Sequence, residues 1–352
     1  MSWKDNIRRV EPYTPGEQPR DKGIVKLNTN ENPYPPSESV LKALSQVSGD
    51  ACRRYPDPAA TELVHALAVN YGLKDENIFV GVGSDDVLSM CFLTFFSGDK
   101  PVLFPDITYS FYDVWANVYR IPYETIALDD DFRINAADYK RPNGGIIFPN
   151  PNAPTGIAES QELVRGILEA NPGSVVIVDE AYIDFGGVSC LPLLREYDNL
   201  IIVQTFSKSR SMAGMRVGFA MASEEMIKCL NDVKYSVNSY TMSAASIAAG
   251  KASVLDRESF DKGVNAIVNT RERVKGALKE LGFSFPDSMA NFIFARHERV
   301  RAKELFEALK EAGIYVRYFD KPRIDDYLRI TVGTDDEMNT LIGFLKGYLE
   351  DR

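Results

Sequence analysis

The residues best suited to chemistry lie in the stretch TFSKSRSMAGMR, which follows an apolar run at residues 200–203. It places Lys208 beside the hydroxyl groups of Thr205 and Ser207, with Arg216 eight residues further on. A lysine that is desolvated or close to other cations loses its proton more readily and becomes a nucleophile. Hydroxyl groups and a guanidinium suit a phosphate dianion. The pattern predicts Schiff-base chemistry on a phosphorylated carbonyl cofactor, while a lysine in a surface turn is the ordinary alternative.

A second candidate pair follows the preceding apolar run, residues 175–178, in the sequence DEAY. A carboxylate such as Asp179 at the end of a buried strand is costly unless it is paired. It could keep a proton on a pyridine nitrogen, and Tyr182 could donate to an oxygen of the same ring. The ordinary alternatives are a helix cap or metal ligand for Asp179 and a core tyrosine for Tyr182.

Two further segments follow predicted strands. In GVGSDD, Gly81 and Gly83 allow a tight turn, and the helix that starts at Ser84 or Asp85 has free backbone amides. Such amides bind phosphate, although ordinary helix capping gives the same pattern. In ITYSFY, Tyr109 stands at a strand-to-helix junction, where it could stack on a flat ring or belong to the core.

Three more candidates lie further along the chain. The sequence PNPNAPTG predicts a rigid turn that carries Asn152 directly after a strand. Arg317 in GIYVRYF and Arg329 in YLRITVG each interrupt an otherwise apolar predicted strand. Such arginines usually lie on the exposed face of a strand, but two of them could bind an anion at a cleft between domains.

The elements that must position these residues alternate along the chain. Short apolar runs occur near residues 80, 103, 147, 177 and 202 and at 217–220, and the first five are separated by segments long enough for crossover helices. This spacing predicts βα units and a mostly parallel sheet buried on both faces. A long helix is predicted at 257–281, followed by strands at 291–295, 315–319 and 327–332 and helices at 302–312 and 337–349.

The predicted organisation is an arm and two domains. Residues 1–35 are rich in proline and are expected to form an arm without a helix. Residues 36–245 would form a large domain and residues 246–352 a smaller α+β domain.

Composition excludes several classes of protein. The 352 residues include 50 acidic and 40 basic side chains, a formal charge of −10, which argues against a nucleic-acid or membrane-surface binder. No apolar run reaches 18 residues and no signal peptide is apparent at the start of the chain. The four cysteines form no CxxC pair and there are two histidines, so we expect no metal site and a cytoplasmic location.

Together, DEAY, the SK lysine with an arginine eight residues later, the PTG loop and GSD before a helix resemble the fold type I aminotransferases. These enzymes use pyridoxal 5′-phosphate (PLP). The resemblance runs from about residue 13 to the last helix, and LNTNENPYPP, RRYPDP and YLRITVG are similar to the histidinol-phosphate aminotransferase branch. It implies an α/β fold, with a large PLP-binding domain that has a mixed, mostly parallel sheet flanked by helices. A smaller α+β C-terminal domain would follow.

The resemblance also implies residue roles. Lys208 would form the Schiff base and move the α-proton of the substrate, Asp179 would pair with the pyridinium nitrogen and Tyr182 with the ring oxygen. Asn152 stands one residue earlier than the asparagine that the family often has before PTG. The other cofactor contacts would be Gly83, Ser84, Asp85, Tyr109, Asn152, Thr205, Ser207 and Arg216, with Tyr55 from a neighbouring subunit.

The same resemblance implies substrates and partners. Arg317 and Arg329 would bind the substrate phosphate or the carboxylates of 2-oxoglutarate, and Tyr13 would cover the substrate, in the partner's site of a homodimer. The expected reaction moves the amino group of L-histidinol phosphate to 2-oxoglutarate, giving imidazole acetol phosphate and glutamate. The alternatives are an aromatic or broad-range amino-acid aminotransferase, a threonine-phosphate decarboxylase and a non-catalytic module that kept the fold.

Overall fold

Apolar runs of the sequence form buried strands, and the amphipathic segments between them form helices. The computed structural model describes residues 2–19 and 23–350. The strands within that part are β1 (Val25–Lys26), β2 (Ile78–Gly81), β3 (Val102–Pro105), β4 (Tyr123–Ile126), β5 (Gly145–Pro149), β6 (Val176–Asp179), β7 (Leu200–Thr205), β8 (Gly218–Met221), β9 (Phe283–Ser284), β10 (Phe292–His297), β11 (Ile314–Tyr315), β12 (Arg317–Tyr318) and β13 (Leu328–Thr331).

The helices cover most of the remaining chain. The α-helices are α1 (Glu38–Ser45), α2 (Gly49–Arg53), α3 (Thr61–Tyr71), α4 (Ser84–Phe95), α5 (Tyr112–Tyr119), α6 (Gln161–Ala170), α7 (Glu224–Val237), α8 (Ala244–Leu255), α9 (Arg257–Glu280), α10 (Ala302–Glu311) and α11 (Asp335–Glu350). Short 3-10 helices occur at Trp3–Asn6, Asp75–Asn77, Ala136–Tyr139, Ile183–Phe185, Leu191–Arg195 and Ala213–Met215. Within the described ranges, no helix is both long and apolar enough to cross a membrane.

The large sheet has seven strands in the order β2-β8-β7-β6-β5-β3-β4. Strands β7, β6, β5, β3 and β4 run parallel to one another, and β8 runs antiparallel to both β2 and β7. Side chains of β7 alternate between two apolar clusters, Leu200 and Ile202 in one and Ile201 and Val203 in the other. The predicted mixed, mostly parallel sheet buried on both faces is confirmed.

One strand of the large sheet was not predicted. Strand β4 forms the edge of the sheet beside β3, and its first three residues are exposed. An edge strand does not need a continuous apolar run, so the sequence pattern lacks the signal that marked the inner strands.

The C-terminal part contains a four-stranded antiparallel sheet in the order β12-β13-β10-β9. The single strand predicted at 315–319 is wrong. Two short strands occupy this region: β11 pairs in parallel with β1, and β12 pairs with β13. The chain thus changes partner at Val316, which no apolar pattern reports. The limits predicted for the two domains stay a prediction.

The N-terminal segment lies against its own chain. The expectation of no helix there is wrong for Trp3–Asn6, which precedes the first proline, Pro12. The Arg8 guanidinium donates to the carbonyl oxygen of Val118 in α5. Glu17 pairs with Lys310 at 2.8 Å, so the same segment also reaches α10.

Candidate active site

A cavity of about 190 Å³ lies at the carboxyl ends of β5, β6 and β7. Parallel strands bring the residues that follow them to one edge of the sheet, which is where ligands bind in such folds. Eight of the residues predicted for a site line this cavity together: Ser84, Asp85, Tyr109, Asp179, Tyr182, Ser207, Lys208 and Arg216. The other lining residues are Thr29, Glu31, Pro149, Ala153, Ala181 and Ala213.

Lys208 enters the cavity from the loop after β7. Its Nζ donates to the carbonyl oxygen of Thr29 at 3.3 Å and lies 5.7 Å from the centroid of the Tyr182 ring. The amide of Asn32 donates to the carbonyl oxygen of Lys208 at 2.9 Å, which fixes the backbone there. The amine has no carboxylate within 4 Å in the described ranges. It is therefore placed to react with a carbonyl group in the cavity.

Asp179 is the buried acid of the cavity and is 4% exposed. Its Oδ1 accepts the backbone N–H of Ala181 at 3.2 Å and its Oδ2 accepts the hydroxyl of Tyr112 at 3.0 Å. Burial raises the pKa of Asp179 to about 6, against the lowering effect of these hydrogen bonds. A cationic ring nitrogen in the cavity would relieve the cost of burying this charge.

Tyr182 is held by a residue from the N-terminal segment. The Asn30 side chain donates to the Tyr182 hydroxyl at 2.9 Å, which leaves the hydroxyl proton free to be donated into the cavity. Asn30 is itself fixed by Thr331 and Asn291, both from the C-terminal part of the chain. Its φ of 55° is a left-handed conformation that asparagine tolerates better than most residues.

An anion cradle forms where α4 begins. The helix starts at Ser84 without a side-chain cap, so its first amides are available to an anion. A Cβ on Gly83 would lie 2.4 Å from the Arg216 guanidinium, and a Cβ on Gly218 would lie 2.4 Å from the Ser84 nitrogen. Glycine at position 83 leaves room for the Arg216 guanidinium, and glycine at position 218 lets β8 approach the backbone at the start of α4. The Ser207 hydroxyl completes the lining on this side.

Asp85 faces this cradle with its carboxylate already engaged. One oxygen accepts the hydroxyl of Tyr109 at 2.7 Å and the other accepts Arg216 Nη2 at 3.4 Å. Burial, followed by the charge of Asp85, raises the pKa of Tyr109 well above its usual range. Tyr109 thus remains a neutral ring in the cavity wall, and the side chain of Asp85 orients Arg216 and Tyr109.

Two predicted cofactor contacts lie one layer behind the wall. Thr205 is absent from the lining, and its Oγ1 donates to the Ser207 hydroxyl at 3.0 Å. Asn152 is buried and donates to the carbonyl oxygen of Ile107 at 3.0 Å, whereas Ala153 lines the cavity. The Asn152 Oδ1 is buried without a hydrogen-bond partner among the described residues.

The two predicted partner-site tyrosines lie outside the cavity. Tyr55 is 82% exposed and stacks on Tyr240, with ring centroids 4.6 Å apart. Tyr13 stacks on Phe111 of its own chain at 4.1 Å, and Phe111 in turn contacts Tyr109.

Arg317 and Arg329 stand opposite each other in the register of β12 and β13. Their guanidinium carbons each lie 5.5 Å from the ring of Phe319. Neither guanidinium has a carboxylate within 4 Å among residues 2–19 and 23–350. Burial, and secondly Arg317, lower the pKa of Arg329. Two adjacent positive charges without an acidic partner form a site for an anion.

This arginine pair is close to the cavity but does not line it. The Arg329 guanidinium lies 5.4 Å from the ring of Phe292, and that ring meets Tyr182 edge-on at 5.1 Å. Arg329 also donates to the carbonyl oxygen of Asn28 at 3.1 Å, in the same segment that carries Asn30. An anion bound by the pair would therefore lie on the Tyr182 side of the cavity.

Several polar residues of the site were not predicted. Tyr112 and Asn30 hold Asp179 and Tyr182, while Thr29 and Glu31 line the cavity. Tyr112 has a sequence signal, since it follows Tyr109 by three residues at the start of a helix. The others lie in TNEN, far from Lys208 in sequence, and only the folded chain brings them to the cavity.

The donor set fits a phosphorylated cofactor with a basic ring nitrogen. The helix start, Arg216 and Ser207 suit the phosphate, Asp179 suits the ring nitrogen, and Lys208 suits a carbonyl carbon. The cradle opened by Gly83 and Gly218 and the unpartnered Asn152 Oδ1 are features that such a group would explain.

Comparison with known proteins identifies the family. The family described as "Aminotransferase class I and II" matches residues 22–345. The histidinol-phosphate aminotransferase of Lactococcus lactis subsp. cremoris (strain MG1363) is 51% identical over 352 residues, which cover 100% of this chain and 99% of the relative. The enzyme of that name from Clostridium beijerinckii is 49% identical over 349 residues, covering 99% and 98% of the two chains.

Solved structures share the fold. The histidinol-phosphate aminotransferase of Sinorhizobium meliloti in complex with pyridoxal 5′-phosphate superposes with a TM-score of 0.85. The two chains are 24% identical, and the match covers 93% of this chain and 92% of the other.

Proposed function

Because the chain belongs to the class I and II aminotransferases, we propose that it transfers the amino group of L-histidinol phosphate to 2-oxoglutarate, with PLP as its cofactor. The products would be imidazole acetol phosphate and glutamate, a reaction of histidine biosynthesis. The observation that carries the choice of substrate is the identity of about half of all residues, over full length, to histidinol-phosphate aminotransferases.

The cavity supports the choice of cofactor. The start of α4, Arg216 and Ser207 would hold the phosphate of PLP, Asp179 its ring nitrogen and Tyr182 its ring oxygen. When bound, PLP supplies a carbonyl carbon that takes up the amino group and an electron-withdrawing ring. The Asp179 carboxylate would keep the ring nitrogen cationic.

Lys208 would carry out the proton transfer. Its Nζ reaches the cavity on the same side as Tyr182 and Thr29, and no carboxylate of the described residues lies within 4 Å of it. An amine in this position can remove the α-proton of the substrate and return it at another carbon, because the general base need only be within hydrogen-bond reach. The hydroxyl of Tyr182, free to donate, would stabilise the negative charge at the ring oxygen.

Arg317 and Arg329 would recognise the anionic end of each substrate. The phosphate of histidinol phosphate and a carboxylate of 2-oxoglutarate both accept two hydrogen bonds from a guanidinium. One pair of arginines could therefore serve both half-reactions.

We also propose a cytoplasmic homodimer with shared sites. The exposed Tyr55–Tyr240 stack supports a role for Tyr55 in a neighbouring subunit, and Tyr13 would cover the substrate in the same way. The cysteines Cys52, Cys91, Cys190 and Cys229 are free thiols, which agrees with a reducing compartment.

The test of the reaction uses purified protein loaded with PLP. L-Histidinol phosphate, phenylalanine and threonine phosphate are supplied in turn with 2-oxoglutarate, and glutamate and CO₂ are measured. We expect kcat/KM for histidinol phosphate to exceed that for phenylalanine by at least tenfold. An equal or larger value for phenylalanine would indicate an aromatic aminotransferase, and CO₂ release from threonine phosphate would indicate a decarboxylase.

Shared sites can be tested by subunit mixing. Lys208→Ala removes the reactive amine of one site, and Tyr55→Phe weakens the site of the neighbour. In a dimer of the two variants, one site has both its own Lys208 and the neighbour's intact Tyr55. We therefore expect mixing to raise activity above the sum of the separate variants. No gain on mixing, with dimers formed, would contradict the sharing of Tyr55.

A further inference from the structure

Behind Asp179 lies a tyrosine that contacts the site but does not belong to the wall of its cavity. Tyr112 is the first residue of α5 and is fully buried. Its hydroxyl donates to Asp179 Oδ2 at 3.0 Å, while the other oxygen accepts the N–H of Ala181. Tyr112 does not line the cavity. It can therefore act on a bound molecule only through Asp179.

Packing of the ring fixes the position of the Tyr112 hydroxyl. The Tyr112 ring meets Phe104 edge-on at 5.8 Å, and Phe92 and Trp115 lie 6.3 Å from it. With the ring held on three sides, the hydroxyl oxygen stays within hydrogen-bond distance of Asp179. Burial, and secondly the charge of Asp179, raise the pKa of Tyr112 well above its usual range, so the phenol remains a donor.

A second buried tyrosine, Tyr139, fills the core without using its hydroxyl group. Tyr139 is as deeply buried as Tyr112, but its hydroxyl has no hydrogen-bond partner among the described residues. The phenyl ring fills the core in both cases, and only Tyr112 uses its hydroxyl on a residue of the site.

We propose that Tyr112 is a positioning residue that holds Asp179 as an anion aimed into the cavity. The proton shared between Asp179 and the ring nitrogen of bound PLP then stays on the ring. The inference deepens the proposed function and rests on it. A hydrogen bond donated to a carboxylate makes the carboxylate a weaker base. Without that bond the proton would move to Asp179, and the ring would lose the positive charge that makes it an electron sink.

Other charged or titratable groups near Asp179 do not replace this contact. Asp85 and Lys208 also line the cavity and act on Asp179 only through their charges. Tyr109 donates to Asp85, and the Tyr182 hydroxyl is held by Asn30. Tyr112 is thus the side chain in the described ranges that hydrogen-bonds to Asp179.

The experiment compares Tyr112→Phe with Tyr139→Phe and wild type, each loaded with PLP that carries ¹⁵N at the ring nitrogen. The ¹⁵N chemical shift reports whether the ring nitrogen is protonated. We expect a pyridinium shift in wild type and Tyr139→Phe at pH 8, and a displacement toward neutral pyridine in Tyr112→Phe. We also expect the dissociation constant of PLP to rise about tenfold in Tyr112→Phe alone.

The outcomes separate the inference from the proposed function. If wild type does not bind PLP, the proposed function fails. If wild type binds PLP with a protonated ring and Tyr112→Phe gives the same shift and affinity, Tyr112 only fills the core and the inference is overturned. In an Asp179→Asn background, adding Tyr112→Phe should change neither quantity, because the hydroxyl acts through the carboxylate.

A second substitution covers the case in which Tyr112→Phe does not fold. 3-Fluorotyrosine at position 112 keeps the ring and the hydroxyl but makes the phenol a stronger donor. We expect the ¹⁵N shift to stay at the pyridinium value and the dissociation constant of PLP to fall below that of wild type. A rise in the dissociation constant would contradict the proposed contact.

Discussion

The cavity beside the large sheet and the arginine pair of the small sheet bind anions in two different ways. In the cavity, the cation Arg216 is paired with Asp85 and works beside the amides of a helix start. In the small sheet, Arg317 and Arg329 face each other, and no carboxylate in the described ranges lies within 4 Å of either guanidinium. In the cavity, the charge of Arg216 is partly neutralised by Asp85 before any ligand binds. In the small sheet, the two positive charges are neutralised only when an anion binds.

The two regions should therefore affect different steps of the reaction. The cavity is stabilised by internal hydrogen bonds, so its residues should control the cofactor and the chemical step. The arginine pair carries repulsion that a ligand relieves, so it should control substrate affinity. Variants can test whether each region affects only its own step.

The largest effect is expected from Lys208→Ala. It removes the amine that would take the α-proton, and we expect turnover to fall by at least about 10³-fold while the fold is kept. Steady-state assays with histidinol phosphate and thermal unfolding measure the two quantities. The control is Lys262→Ala, which removes an exposed lysine outside the cavity. Substantial transamination by Lys208→Ala would refute the assignment of the active site.

Asp179→Ala should have the next largest effect. Without its carboxylate the ring nitrogen would not stay cationic, so we expect kcat to fall by about 10²- to 10³-fold although PLP still binds. Rapid mixing with histidinol phosphate separates the chemical step from substrate binding. A rate near that of wild type would show that the cavity does not use Asp179 as proposed.

The arginine pair should affect substrates and leave the cofactor unchanged. We expect Arg329→Ala or Arg317→Ala to raise KM for histidinol phosphate by about 10- to 100-fold, because each removes charge-assisted hydrogen bonds to the phosphate. The dissociation constant of PLP should stay at the wild-type value. Arg296→Ala, in the neighbouring strand β10, is the matched control. A loss of PLP affinity in either arginine variant would show that the arginine pair and the cavity are coupled.

The smallest effect concerns the stability of the cavity without cofactor. The pKa of Asp179 in the folded state, about 6, lies above its ordinary value of 3.8. The folded protein therefore keeps a proton that the unfolded chain has lost, and this contribution to stability disappears as the pH rises from about 4 through 6. We expect the Asp179→Asn variant not to lose stability in this way. The difference in free energy of unfolding between the variant and wild type should therefore be about 2 kcal/mol more in favour of the variant at pH 7 than at pH 4. Denaturant unfolding of the cofactor-free proteins at both pH values measures the difference.

Much of the fold could be predicted because inner strands need continuous apolar runs. Residues 200–203 and 102–104 are buried on both sides, so their composition alone marks them as strands. Strand β4 escaped because an edge strand is half exposed. The break at Val316 escaped because a change of hydrogen-bond partner leaves the apolar pattern intact.

The site residues also differ in how far local sequence predicts them. Asp179 is the last residue of β6, and Lys208 and Ser84 lie just after β7 and β2, so local sequence was enough to nominate them for one edge of the sheet. Thr205 was chosen for the same reason, but its side chain turns to Ser207 and stays behind the wall. A difference of two residues along a loop decides which side chain reaches the cavity.

Residue types and their order along the chain specified the chemistry of this protein: an amine, a buried acid, a phenol and an anion cradle, each after a strand or at a helix start. Such features depend on neighbouring residues, and the sequence contains them. The fold decided which distant residues complete the site. Asn30 reaches Tyr182 across 152 positions, and Arg317 faces Arg329 through strand register. These contacts follow from the packing of the whole chain, because no local preference selects a partner so far away.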